Sequence, residues 1–144
     1  MRRTAIAKWQ GAGLEGQGSL NTQSGVFEQQ PYSFKTRFQN DDGQLGTNPE
    51  ELIAAAHAGC FNMALSFQLG GAGFPPNQLN TEAVLSMKKV DGHFKIMGIA
   101  LNLEAEVPGI GEEKFQEIAN NAKKSCPVSQ ALAVDITLEA RLVS

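Results

Sequence analysis

From Asn48 to Leu69 the chain reads NPEELIAAAHAGCFNMALSFQL, and after Glu51 no Asp, Glu, Lys or Arg occurs until Glu82. This stretch limits the fold more than any other. Asn48 is a good N-cap, Pro49 suits the first helical position, and Glu51 stands where a capping box needs it. Leu52, Ile53, Phe61, Met63, Leu65, Phe67 and Leu69 keep to no single stripe, and alanines fill most of the gaps. A helix that is apolar nearly all round has to be buried. His57, Asn62, Ser66 and Gln68 interrupt it, which argues against a membrane span. Gly70-Gly71 and then Phe74-Pro75-Pro76 end it.

The flanking segments supply what such a helix can pack on. Arg3–Gln10 reads as a first strand, followed by the glycine-rich turn GAGLEGQGS, and Leu20–Gln23 as a short second one. Pro31–Phe38 alternates, with Tyr32, Phe34, Thr36 and Phe38 on one face and Ser33, Lys35 and Arg37 on the other, and is expected to be a strand. Leu79–Val90 and His93–Val107 flank Asp91-Gly92, a favoured two-residue hairpin turn, with Ile99, Leu101, Leu103, Ala105 and Val107 on one face. Glu112–Lys124 carries Phe115, Ile118, Ala119 and Ala122 at helical spacing, acidic at its start and basic at its end, as the helix dipole favours. Ser125-Cys126-Pro127 starts a short helical turn through Leu132, and Ala133–Leu142 is a last alternating strand. The order βββαββααβ predicts an α+β fold in one domain over residues 1–144, its long strands forming one antiparallel sheet face against the central helix. One sheet covers only one side of that helix. The small residues Ala54 to Gly59 would let a second copy approach, so a symmetric homodimer is expected; the alternative is that the Glu112 helix covers the second side.

Composition excludes several classes. The 144 residues are 42% hydrophobic, enough for a real core. A formal charge of -3 gives no electrostatic case for nucleic acid or an anionic membrane surface. Met1-Arg2-Arg3 has no apolar run behind it, so no secretory signal is expected and the cytoplasm is the expected compartment. Two cysteines far apart are not a disulfide scaffold; in a reducing compartment they are catalytic, redox-active or simply buried.

Cys60 lies in the middle of the central helix, where a small buried apolar role is the plain reading. Cys126 precedes Pro127 at a helix start, where N–H groups stabilise a thiolate. A cysteine buried mid-helix and another at a helix N-terminus fit a dithiol redox pair. Arg37 can lower a thiol's pKa or orient an oxygen-rich substrate, or be a solvated strand arginine. Glu50, in the first helical turn, is favourable there through the helix dipole alone. His57 and Cys60 have the spacing of a metal pair, but only His93 and Cys126 remain as further ligands, and no metal is expected. A Cys–His hydrolase would need its nucleophile at an exposed turn, which Cys60 does not occupy.

The segments QQPYSFKTRF, GTNPEELIAAAHAGCF, VDGHF, VPGI and CPVSQAL, in this order across nearly the whole chain, resemble the OsmC/Ohr family, the osmotically inducible and organic hydroperoxide resistance proteins, and its OsmC branch in particular. Gly59 stands where the family pattern has alanine. The resemblance implies an intertwined homodimer with two long central helices at its heart and a site at each chain junction. It implies a thiol-dependent peroxidase for organic hydroperoxides, with Cys60 as the peroxidatic and Cys126 as the resolving cysteine, and Arg37 and Glu50 in the same site. It implies no metal, haem or flavin, and an external dithiol, of lipoyl type on a partner protein, that resets the pair. The rival from another class is a non-catalytic dimeric protein that binds a small apolar ligand between its chains.

Overall fold

The computed structural model describes residues 1–143. The chain divides into two compact units, one from Met1 to Leu52 and one from Ile53 onward.

The first unit holds an antiparallel sheet of β1 (Ala5–Gln10), β2 (Gln17–Thr22) and β3 (Gln30–Ser33), in that order. In its middle strand Gly18 faces Trp9 on one side and Tyr32 on the other. The two rings meet over it, centroids 5.4 Å apart. A Cβ there would come within 2.4 Å of the Tyr32 ring and 2.8 Å of the Trp9 ring, so only glycine leaves room for the pair. Among the described residues, none of the fully buried apolar side chains lies in this unit.

The expected strand Pro31–Phe38 is a strand only as far as Ser33; Phe34–Phe38 is a short helix, α1. Ser33 caps it, accepting from the N–H of Thr36, while the Thr36 hydroxyl accepts from the N–H of Ser33. This reciprocal cap satisfies backbone groups that a continued strand would leave open at a sheet edge. Phe34 and Phe38 stack one helical turn apart, centroids 4.8 Å, a spacing that fits a four-residue repeat as well as strand alternation. Arg37 is therefore a helix residue, not a strand one.

The central helix, α2, runs from Pro49 to Gly71. Asn48 Oδ1 accepts from the Glu51 N–H at 2.8 Å, so the expected N-cap is present. At the far end Phe74 N–H reaches the Leu69 carbonyl and Gly73 N–H the Gly70 carbonyl, with Gly73 at φ +86°. That is a Schellman ending, and it places the left-handed glycine two residues beyond the predicted stop. The buried residues of α2 are His57, Phe61, Leu65 and Leu69, a stripe of four-residue spacing.

The stripe packs in the second unit with β5 (His93–Glu106) and α3 (Glu112–Ser125). Ile99, Leu101, Leu103 and Ala105 of β5, with Val107 beyond it, and Phe115, Ile118, Ala119 and Ala122 of α3 are buried as predicted. β4 (Gln78–Val90) pairs with β5 as an antiparallel hairpin through Asp91 and Gly92, at φ 49° and 81°, both left-handed as a type I′ turn needs. β6 (Asp135–Leu142), however, pairs with β5 in parallel, so the sheet is mixed, with order β4-β5-β6, and the protein has two sheets rather than one antiparallel face. The reason is the connection. A helical crossover of α3 and α4 (Pro127–Ala131) returns the chain to the edge where β5 began, which produces a parallel neighbour.

By length and composition α2 could cross a membrane. Its polar side chains are instead partnered within the fold: Asn62 Oδ1 accepts from Thr81 Oγ1 at 2.6 Å, and Gln68 Nε2 donates to Ser125 Oγ at 2.8 Å. Its remaining face carries large apolar side chains that the second unit leaves exposed. Met63 is 64% and Phe67 74% exposed.

Gly18→Ala is expected to push the two rings apart and to cost about 1–3 kcal/mol, as overpacking does. The chain has one tryptophan, so its emission reports Trp9 alone. Unchanged emission together with an unchanged unfolding midpoint would show that the rings do not depend on Gly18.

Candidate active site

The four residues singled out in the sequence form two pairs, one in each unit. In the first unit, α1 and the start of α2 bring Arg37 to Glu50. Arg37 Nε donates to both carboxylate oxygens at 3.1 Å, and a second guanidinium nitrogen donates to Oε1. This is the forked geometry that lysine cannot make. The Arg37 guanidinium also lies 4.8 Å from the Phe38 ring centroid. Beside the pair opens a cavity of about 300 Å³ lined by Trp9, Leu14, Tyr32, Phe34, Phe38 and Arg37 among others. Its walls are mostly apolar, with Arg37 as the charged member beside Ser33, so it suits a ligand with an apolar body and a polar end.

In the second unit, α2 brings Cys60 to Cys126. Both thiols are free, and each is near enough to shift the ionisation of the other. Cys60, expected to be buried, is half-buried, while Cys126 at the helix start is 0% exposed. Cys60 immediately precedes the buried stripe residue Phe61, which turns it about 100° away from the packed face. Cys126 is the N-cap of α4, with Pro127 at the first helical position. As a neutral thiol it makes no side-chain capping bond, in keeping with the poor capping power of cysteine.

The ionised form is another matter. Burial works against a thiolate at Cys126, but the Ser129 N–H, the Cys60 thiol, the Ser129 hydroxyl and the Val128 N–H together outweigh it and hold its pKa below the ordinary thiol value. Burial raises the pKa of Cys60, and the neighbouring Cys126 sulfur raises it further against the opposing Val128 N–H. Within this unit Cys126 is therefore the thiol that gives up its proton more readily, and Cys60 the one that keeps it longer.

Two residues of this site were not assigned a part in it from the sequence. Ser129 stands three positions after the N-cap cysteine, which is the capping-box spacing. His57, weighed only as a metal ligand beside Cys60, is 0% exposed, and its Nε2 lies 2.7 Å from Ser129 Oγ. Its place as the one polar member of the stripe 57-61-65-69 is the signal that marks it as a buried group in need of a partner. Burial lowers its pKa, so the ring is held neutral.

The chain resembles proteins of known sequence and structure along most of its length. A family model described as OsmC-like protein matches residues 40–140. Peroxiredoxin OsmC of Escherichia coli (strain K12) is 53% identical over 138 residues, 96% of this chain and 94% of that protein. The organic hydroperoxide resistance protein OhrB of Bacillus subtilis (strain 168) is 35% identical over 103 residues, 69% of this chain and 74% of that protein. The crystal structure of OhrB of Bacillus subtilis superposes with a TM-score of 0.70 at 30% identity, over 97% of this chain and 98% of that one. An OsmC-like protein of unknown function from Vibrio cholerae gives a TM-score of 0.77 at 14% identity, over 98% and 99%, a likeness of fold alone.

A histidine held neutral in the fold takes up a proton on unfolding below its ordinary pKa of about 6.5, so its contribution to stability is present above that pH and is lost as pH falls. Melting temperature is expected to drop between pH 7 and pH 5, and His57→Gln, which does not titrate, should flatten that drop. An equal slope in both proteins would show that His57 is not the group responsible.

Proposed function

We propose that this chain, which belongs to the family of OsmC-like proteins, is a thiol-dependent peroxidase that reduces organic hydroperoxides to alcohols. The observation that carries this reading is the neighbouring pair of free cysteines, one reachable from solvent and one fully buried. A substrate can meet Cys60 but not Cys126, and the buried sulfur is already in place to close on its neighbour. The Cys60 thiolate attacks the distal oxygen of ROOH; the O–O bond breaks, and the alkoxide leaves and takes a proton to become ROH. Cys60 is left as a sulfenic acid. Cys126 attacks that sulfur, the S–O bond breaks, and a disulfide and water result. An external dithiol, of lipoyl type in our reading, returns the pair to thiols by exchange, and no metal or organic cofactor takes part. The cycle fits a reducing compartment such as the cytoplasm. The apolar cavity beside Arg37 supports an organic hydroperoxide rather than hydrogen peroxide, which has no apolar surface to bury.

Arg37 and Glu50 complete the site as the cation that stabilises the Cys60 thiolate and the carboxylate that holds the cation. Glu50 and Cys60 stand ten positions apart on one helix, about 15 Å along its axis and roughly 80° around it. A glutamate side chain spans only part of that distance. We infer that Glu50 reaches the site of a partner chain, in a symmetric homodimer whose helices cover each other's exposed Met63 and Phe67 faces. The family model matches residues 40–140, the end of the first unit and most of the second, in keeping with one OsmC-like domain over the whole chain.

Mass spectrometry after one equivalent of cumene hydroperoxide is expected to show a stoichiometric Cys60–Cys126 disulfide. Cys60→Ser should abolish turnover, and Cys126→Ser should allow one reduction and then over-oxidation of Cys60. A chain that stays fully reduced, with the hydroperoxide unspent, is a non-catalytic binding protein instead.

The shared site has its own test. Cys60→Ser and Glu50→Ala chains, each inactive, should regain about a quarter of wild-type activity on mixing, because statistical pairing repairs one site in each mixed dimer. Mixed dimers that form but stay inactive would place Glu50 and Cys60 of one site on the same chain, and an active Glu50→Ala chain would place Glu50 outside the site.

A further inference from the structure

His57 is a fully buried polar group that the reaction as written does not use. Its Nε2 lies 2.7 Å from Ser129 Oγ, and its Nδ1 has no hydrogen-bond partner among the described residues. The two residues are 72 positions apart, so the contact is made by tertiary packing of α2 against the Cys126 turn, not by local sequence.

The orphaned Nδ1 decides the tautomer. A neutral imidazole has one N–H and one bare nitrogen. If Nδ1 carried the hydrogen, a buried N–H would have no acceptor, and such donors are rarer than acceptors left without a donor. The favoured form is Nε2–H donating to Ser129 Oγ, with Nδ1 bare. Ser129 Oγ then already accepts a hydrogen bond, and its own hydrogen is released to point elsewhere. Cys126 is the N-cap of α4 and Ser129 its third residue, the two positions whose side chains meet in a capping box, so the Cys126 sulfur is the neighbour within reach of that hydrogen.

We propose that His57 acts through Ser129 as a positioning residue for Cys126, fixing the serine hydroxyl as a hydrogen-bond donor to the sulfur that closes the disulfide. The proposal rests on the reading of Cys126 as the resolving cysteine. In the step concerned, a lone pair of the Cys126 thiolate forms the S–S bond and the Cys60 S–O bond breaks. The bonding pair leaves on hydroxide, which takes a proton from solvent to give water. Ser129 gives up no proton; its hydrogen bond stabilises the thiolate before attack and is released as the charge leaves the sulfur. His57 stays neutral throughout, as its burial requires. Of the lysines at the end of α3, Lys123 is turned to the Ile136 carbonyl.

A donor that stabilises a thiolate leaves a particular trace. Removing it raises the thiol's pKa, which lowers the thiolate fraction at neutral pH but makes each thiolate a better nucleophile, with a Brønsted slope of roughly 0.4–0.5. For a rise of one unit, closure at neutral pH slows by only about threefold, and at alkaline pH, where both thiols are ionised, the variant closes faster than wild type.

Two measurements test this. In the Cys60→Ser chain Cys126 is the only thiol, so its ultraviolet thiolate titration reads Cys126 alone. Ser129→Ala is expected to move that titration to higher pH, Ser129→Thr to restore it, and His57→Leu to move it in the same direction with no further shift in the double variant. In chains with both cysteines, stopped-flow oxidation should give closure rates for Ser129→Ala that fall below wild type at neutral pH and cross above it at alkaline pH. An unchanged titration in folded Ser129→Ala, or a loss of rate equal at every pH, overturns the proposal. A wild-type chain that forms no Cys60–Cys126 disulfide defeats the resolving role itself, while the titration of Cys126 still decides whether the hydroxyl acts on that sulfur.

Discussion

Burial of the α2 stripe at Phe61, Leu65 and Leu69 is the interaction on which the rest of the second unit depends. Each of these side chains contributes about 1.5–3 kcal/mol by leaving water, and together they fix the helix in rotation as well as position. Rotation is what matters for the chemistry. With Phe61 in the core, Cys60 is held at the margin of the packed face, partly buried against the core and open enough to meet solvent. The same core carries Phe115, Ile118, Ala119 and Ala122 of α3, and Ala122 accepts the N–H of Cys126 at 2.9 Å. The second sulfur is thus delivered by the packing that orients the first. His57 continues the stripe at its N-terminal end, and its position there is what lets one helix face serve core and site together.

The opposite face of α2 presents the converse situation. Met63 and Phe67 lie in solvent, and no charged residue on the helix beyond Glu51 offsets them. The first unit adds to the surplus, for its three strands have no fully buried apolar side chain, and three strands need a covered face for stability. Both observations describe a chain with more apolar surface than a monomer retains in water. The proposed second copy answers both at once, and a symmetric one needs no further sequence to do so.

Much of this was legible in the sequence because it is locally determined. The Asn48 cap, the Asp91-Gly92 turn, the β5 face and the α3 stripe each follow from a few neighbouring residues. α1 was not legible because Phe34 and Phe38 satisfy both a two-residue and a four-residue repeat; the Ser33–Thr36 cap decides between them, and its two hydroxyls read equally well as the polar side of a strand. β6 alternates cleanly, but alternation does not say which way a strand runs; the helical crossover before it does. The stripe at 57-61-65-69 was hidden because the other faces of α2 are apolar too, so periodicity gave no contrast. Hence Cys60 read as buried when it is the more open of the two. The His57–Ser129 contact has no local signal at all, since it exists only once two distant segments pack.

The charge on the cysteine pair gives the proposed dimer a chemical reason as well as a packing one. In the second unit the donors of the Cys126 turn favour a thiolate on the inner sulfur, while burial holds the proton on the outer one. That arrangement suits the closing step, where Cys126 must be the nucleophile, and opposes the opening step, where Cys60 must be. A cation beside Cys60 reverses the preference, because it lowers the energy of charge on the outer sulfur without touching the donors of the inner one. Arg37 is such a cation, held in a forked ion pair that fixes its plane. In the proposed site the guanidinium draws the charge outward for attack on the hydroperoxide. Once Cys60 is a neutral sulfenic acid it has no charge left to stabilise, and Cys126 is again the better thiolate. The order of the two steps then follows from which sulfur can still be ionised.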